Sequence, residues 1–137
     1  MSLSNTTENA VLKCLLQGTD PSYRAGATQY LALFVSDPGE TASLAGECDY
    51  TGYARVALTK ASAWTDGGSS FSNANLLQFP ACTGGSNNAS HFAIVDTGPA
   101  RATAVNMMIS GALSGTLSIS SGIQPQFGPD SLSIGSD

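Results

Sequence analysis

Tyr30-Leu31-Ala32-Leu33-Phe34-Val35 is the stretch on which the fold turns. All six residues are apolar, so no polar alternation marks a wet face. The run is too short for a helix of ordinary length and is rich in aromatic and branched side chains. That combination reads as a central β-strand buried on both faces. Ser36-Asp37-Pro38-Gly39 follows it directly. Pro38 fixes φ and Gly39 accepts a positive one, which makes a turn.

Outward from this strand, the N-terminal side reads as a helix. Ser4 or Asn5 can cap it, and Glu8 completes a capping-box pattern. Val11, Leu12, Leu15 and Leu16 recur at one-and-four spacing and make one apolar stripe. Gly18 suits the C′ position, and Pro21 prevents continuation. The helix is expected within residues 3–17, its stripe turned inward against a sheet or a neighbouring subunit. On the C-terminal side, strand patterns recur over 52–59, 72–79, 91–95, 101–110, 115–120 and 131–134, with Gly- and Pro-rich turns between them. In the strand at 52–59, alternation puts Tyr53 and Arg55 on the outer face and Val56 and Leu58 on the inner one. The expected fold is mainly β: a single-domain antiparallel β-sandwich or jelly roll of about eight strands with one N-terminal helix. The domain spans 1–137, with the β-rich body over 29–134, and no internal repeat is evident.

The chain of 137 residues is 42% apolar but only 11% charged. Globular proteins average about a quarter charged. After Ala61 the charges are Asp66, Asp96, Arg101, Asp130 and Asp137 alone. Ser, Thr, Asn, Gln and Gly must cover that half. Such a surface suits flat, hydrogen-bonding contacts, because few charges need desolvating. The net charge is −5, and Lys13, Arg24, Arg55, Lys60 and Arg101 are scattered. Nucleic acid needs clustered cations, so direct nucleic-acid binding is not expected. Residues 1–16 lack the basic start of a secretory leader, and no apolar run reaches membrane-spanning length. No membrane partner is expected, and synthesis in the cytoplasm is. Cys14, Cys48 and Cys82 are odd in number and widely spaced. They read as reduced thiols.

Catalytic templates find little support. His91 is the one histidine, and it opens an apolar strand beside Ser90. No GxSxG elbow accompanies it. The histidine and cysteines have no zinc spacing. Asp37, Glu40, Glu47 and Asp49 crowd a turn-rich stretch without the regular spacing of a calcium loop. They read as a solvated acidic loop. A glycan hydrolase would need two of these, or Asp96, to converge in a cleft. No catalytic, cofactor-binding or metal-ligating residues are therefore assigned, no cofactor is expected, and the chain is not expected to be an enzyme. Met107 and Met108 read as core filler. Arg55, beside Tyr53, suits either an internal bridge to a carboxylate or an interface anchor. The bridge is the preferred reading.

The run from Tyr30 to Gly39, then Glu47 and Gly52-Tyr-Ala-Arg55, resembles a family of small bacteriophage virion proteins. Leu76 to Pro80, His91-Phe-Ala-Ile94 and Leu132-Ser-Ile134 are similar to it as well. The family includes tail-fibre-like proteins and capsid cement or decoration proteins, and the chain looks most like the second kind. That resemblance implies a non-enzymatic jelly-roll subunit on the outer capsid surface of a virion. Its partners would be the major capsid protein and copies of itself, as a dimer or trimer. The alternative is a tail or receptor-binding module, with Tyr23, Tyr50, Tyr53 and Trp64 exposed for sugar contact. Candidate interface residues are Val11, Leu12, Leu15, Leu16, Tyr53 and Arg55.

Overall fold

A computed structural model describes residues 2–101 and 105–135. Ten strands and one α-helix follow in chain order. They are β1 (Ser2–Leu3), α1 (Asn5–Gln17), β2 (Thr28–Phe34), β3 (Val56–Thr59) and β4 (Trp64–Asp66). Then come β5 (Ser70–Asn73), β6 (Leu77–Gln78), β7 (Asn87–Val95), β8 (Met107–Ile119), β9 (Gln126–Phe127) and β10 (Ser133–Gly135). The fold is mainly β, a single small domain with one helix and antiparallel sheets throughout.

The main sheet has the order β1-β8-β7-β2-β3. β2 lies inside it, with Leu31 opposite Ile94 and Leu33 opposite Phe92 on β7. Leu31, Leu33, Phe92 and Ile94 enter the larger core cluster, while Ala32, Phe34, Ala93 and Val95 enter a second one with Met107. Both faces of the sheet are therefore covered at β2 and β7. This is why the run from Tyr30 shows no alternation. The sheet β10-β5-β4 and the pair β6-β9 complete the structure. Leu77, Phe79 and Leu132 carry their side of the larger cluster. Asn73 is fully buried at the joint. Its amide donates to Asn75 O and Gly128 O and accepts from Leu132 N–H, which ties the C-terminal segment to β5.

Local chemistry explains the ends of α1. Ser4 is the N-cap, accepting from Thr7 N–H at 3.3 Å. Glu8 sits in the first turn, where a negative charge suits the helix dipole. Gly18 has φ +68° and donates to Cys14 O, and Thr19 donates to Lys13 O. These bonds satisfy carbonyls that a helix end leaves open. Leu3, expected to begin the helix, instead pairs with Ile109 in β1. Ser4 Oγ and Thr7 Oγ1 both donate to Met107 O, and Ser4 N–H donates to Met108 O. The helix is thus pinned at its N-terminal end to the start of β8.

Other boundaries moved. The strand expected over 52–59 is ordered as β3 only from Val56. The segment between the strands expected over 52–59 and 72–79 contains β4, closed by Gly68 at φ +93° with its N–H on Asp66 Oδ1. The strands expected over 101–110 and 115–120 are one long β8. Gly111 and Gly115 do not break it. The sheet absorbs the extra residues as an irregularity, with Ala89 opposite Leu117 but His91 opposite Ala112. Residues 102–104 of the expected 101–110 strand lie outside the described residues.

Candidate docking surface

The polar side chains of the acidic loop do not converge. Asp37 Oδ1 accepts from Gly39 N–H within the turn. Asp49 accepts from the Asn87 amide, whose oxygen takes the N–H groups of Asp49 and Tyr50. Asp96 closes the β7 end, accepting from Thr97 Oγ1 and from the backbone and side chain of Asn106. Burial opposes its charge, but the Asn106 and Thr97 hydrogen bonds outweigh it and hold the carboxyl below its ordinary value. His91 Nδ1 lies 2.8 Å from Ser90 Oγ. Among the described residues, no three His, Cys, Asp or Glu side chains gather as a metal would need.

Glu47 behaves differently. It enters the interior and meets Arg55, with Arg55 Nε 2.7 Å from Oε1 and Nη2 2.7 Å from Oε2. The two side chains are 2% and 0% exposed respectively. Arg55 Nη1 also donates to Thr97 O, and Tyr53 OH donates to Glu47 Oε1 while accepting from Leu33 N–H in β2. Arg101, half exposed, sits above with Nε 3.9 Å from Glu47 Oε2. Burial works against the guanidinium charge, yet the hydrogen bonds and charge of Glu47 keep its pKa above the ordinary value. Burial, reinforced by Glu47, pushes the Tyr53 phenol up.

Arg55 is therefore buried, and Tyr53 is half-buried with its hydroxyl on the bridge, so neither forms an outer strand face. Of the two readings of Arg55, the internal bridge is the one the geometry contains. The expected outer face fails for a local reason. Residues before Val56 are not in the strand, and Tyr53 N–H bonds Tyr50 O in a turn, so strand parity does not apply. The aromatic residues offered for sugar contact are not exposed either. Tyr50 is buried, its hydroxyl on Pro80 O, and Tyr23, Tyr53 and Trp64 are half-buried. Tyr50, Tyr53, Phe79 and Phe127 form a chain of ring contacts through the core.

The other four candidates lie in the open. Val11 is 41% exposed, Leu12 56%, Leu15 75% and Leu16 79%. The expected inward stripe faces away from the sheet. The side of α1 turned to the protein carries Thr7, Ala10 and Cys14, of which only Thr7 is buried. Three small residues cover little apolar area, so the polar bonds of Ser4 and Thr7 seat the helix. Behind the stripe is a groove of about 310 Å3 lined by Val11, Cys14, Leu15, Tyr23, Lys60 and Met108, among others. Tyr23 OH is buried there without a hydrogen-bond partner among the described residues. Sequence reasoning did not find this groove. Its only trace was an aromatic residue soon after the helix stop at Pro21. No helix among the described residues is long and apolar enough to cross a membrane.

A family model described as podophage GP4 fiber I protein gp80 matches residues 2–135. The chain belongs to the Gp80 family. This Gp80-family protein is accordingly a structural protein of a bacteriophage virion. The match names a fibre protein and says nothing of a capsid cement protein. No curated protein matches the Gp80-family chain.

Proposed function

We propose that this chain is a non-enzymatic subunit of the fibre apparatus of a phage tail, working through protein–protein contacts. The family match across residues 2–135 carries this reading. The structure supports it in two ways. Of the acids that could have formed a catalytic centre, Asp37, Asp49 and Asp96 are committed to separate local hydrogen bonds and Glu47 to the buried bridge. The three most exposed large apolar side chains, Leu12, Leu15 and Leu16, collect on one helix, as an attachment surface requires. Partners on this reading are another virion protein and further copies of the chain, with no role for nucleic acid or membrane.

A capsid cement protein on the outer head surface, contacting the major capsid protein, is the second reading. The charge-poor half after Ala61 favours it, because a surface of small polar groups suits many repeated flat contacts. Separated heads and tails decide between the two. The purified protein is expected to co-sediment saturably with tails lacking it and not with heads. Saturable binding to heads alone moves the assignment to the cement role. Binding to neither, together with absence from purified particles, removes both.

A further inference from the structure

We infer that the outer face of α1 and the groove behind it receive an apolar polypeptide segment, bordered by carboxylates, from a different virion protein. The inference rests on the virion reading above and specifies its contact surface. Val11 and Leu15 belong both to the exposed stripe and to the groove lining, so the two form one continuous apolar surface. An amphipathic helix that served only its own domain would turn Leu12, Leu15 and Leu16 inward and its small residues outward. Here the arrangement is reversed.

The charges describe the occupant. Of the five basic residues, Arg55 and Arg101 face Glu47. The remaining three surround the apolar surface. Arg24 and Lys60 line the groove, and Lys13 lies on α1 three positions before Leu16 and so beside it. Lys60 Nζ is held by the carbonyls of Tyr23 and Arg24, and Arg24 is offset by Asp20, which also lies beside Cys14 of the groove, so Lys13 and Lys60 carry the uncompensated positive charge of the rim. A protein of net charge −5 thus rims its most apolar surface with cations. Glu8 is the one acid within the stripe, at its N-terminal end.

A second copy fits poorly. It would present the same rim, in which Lys13, Arg24 and Lys60 outnumber Glu8 and Asp20, and like-signed surfaces meeting across an interface are costly. A membrane surface fits poorly too, since α1 carries one lysine and has Glu8 in line with its apolar residues. Size argues for an assembly. A helix of 13 residues is about 20 Å long, and its face falls short of the roughly 800 Å² per partner of a stable standard interface. The contact therefore works as one of several made by neighbouring copies.

The test uses particles assembled from the full-length chain with a photo-crosslinking residue in place of Leu16, and a control with the same residue in place of Ser69. Irradiation is expected to join the Leu16 site to one other virion protein, through an apolar peptide with Asp or Glu beside it. Crosslinks to a second copy, to lipid or to nothing overturn the inference. In parallel, Leu15→Ser/Leu16→Ser and Lys13→Glu chains are expected to keep the thermal unfolding of the isolated protein. Their occupancy in particles is expected to fall by about tenfold or more when such central anchors are lost. Occupancy at the wild-type level overturns the inference while leaving the virion reading intact. Absence of the unaltered chain from particles fails the virion reading itself.

Discussion

Glu47→Gln is the substitution that asks most of the interior. It keeps the shape and one acceptor oxygen but removes the charge facing the Arg55 guanidinium. Both partners are essentially inaccessible, with side chains 0% and 2% exposed. A charge in that position cannot recover hydration when its partner is lost. Breaking a buried pair from one side costs about 3–5 kcal/mol. A chain of 137 residues has an unfolding entropy of roughly 290 cal/mol/K, so the melting temperature should fall by about 10–17 °C. The total stability expected for this length is about 7–20 kcal/mol, so the variant should remain folded at 25 °C. Urea unfolding followed by Trp64 fluorescence, with calorimetry alongside, measures both quantities. The companion double variant, Glu47→Leu/Arg55→Met, removes both charges and is expected to cost less than Glu47→Gln alone. Added salt should change the difference little, because screening acts weakly on buried pairs. A Glu47→Gln loss under about 1 kcal/mol, or a double variant worse than the single one, would refute the internal bridge. The surface-anchor reading of Arg55 predicts the opposite pattern: normal stability of the isolated chain and impaired assembly.

Three further outcomes follow from the same interior. Asn73→Ala removes three side-chain hydrogen bonds, two of which join β5 to the C-terminal segment, and should cost roughly 3 kcal/mol by urea denaturation. Asp96 has a folded pKa below the ordinary 3.8, so its stabilisation is complete above that value and is lost as pH falls through the lower, folded one. Asp96→Asn should therefore be less stable than wild type at pH 7, and the gap should close on acidification below about pH 4; a gap independent of pH would reject the assignment. In the native protein a thiol reagent at pH 8 should modify Cys14 well before the other two. Cys48 and Cys82 are buried, and burial, with Asp49 and Glu47 nearby, pushes the Cys48 thiol up to about 12. Rapid native labelling of Cys48, scored by peptide mass, would contradict that packing.

The parts of this fold that were legible in the sequence are those set by local chemistry or by burial on both sides of one strand. β2 announced itself because neither face could tolerate a polar residue. The ends of α1 were visible because a cap, a Gly in the left-handed region and a following Pro act within a few residues of each other. Met107 and Met108 read as core filler and are both buried. What failed needed information from distant residues. The spacing of Val11, Leu12, Leu15 and Leu16 fixes that they share a side of the helix. It does not fix what that side meets, which depends on the bonds from Ser4 and Thr7 to Met107, a hundred residues away. Parity along 52–59 assigned Tyr53 and Arg55 to the surface on the premise that the strand had already begun. The strands expected over 101–110 and 115–120 run on as one because Gly111 keeps its place opposite Phe92, and the irregular pairing of β7 with β8 takes up the residues around Gly115. The groove under Tyr23 was invisible because it joins α1, the turn at Ser22–Arg24, Lys60 and β8, segments with no shared sequence pattern.

The way α1 is attached separates folding from assembly. Were it held by its leucines, any change to them would unfold the helix and change contacts at once. Instead the N-cap residue and Thr7 hold it through hydrogen bonds to one strand end, and the leucines are left exposed. That arrangement has a cost, since exposed apolar surface invites aggregation in the free chain. Elsewhere the large apolar residues left exposed, Leu3, Val35, Phe71, Leu76 and Ile123, are each less than half exposed, and the second half carries few charges that a contact would have to desolvate. A domain whose three most exposed large apolar residues sit on one weakly seated helix leaves that helix free for a contact outside itself. On the fibre reading proposed above, that contact is with the assembly the chain joins.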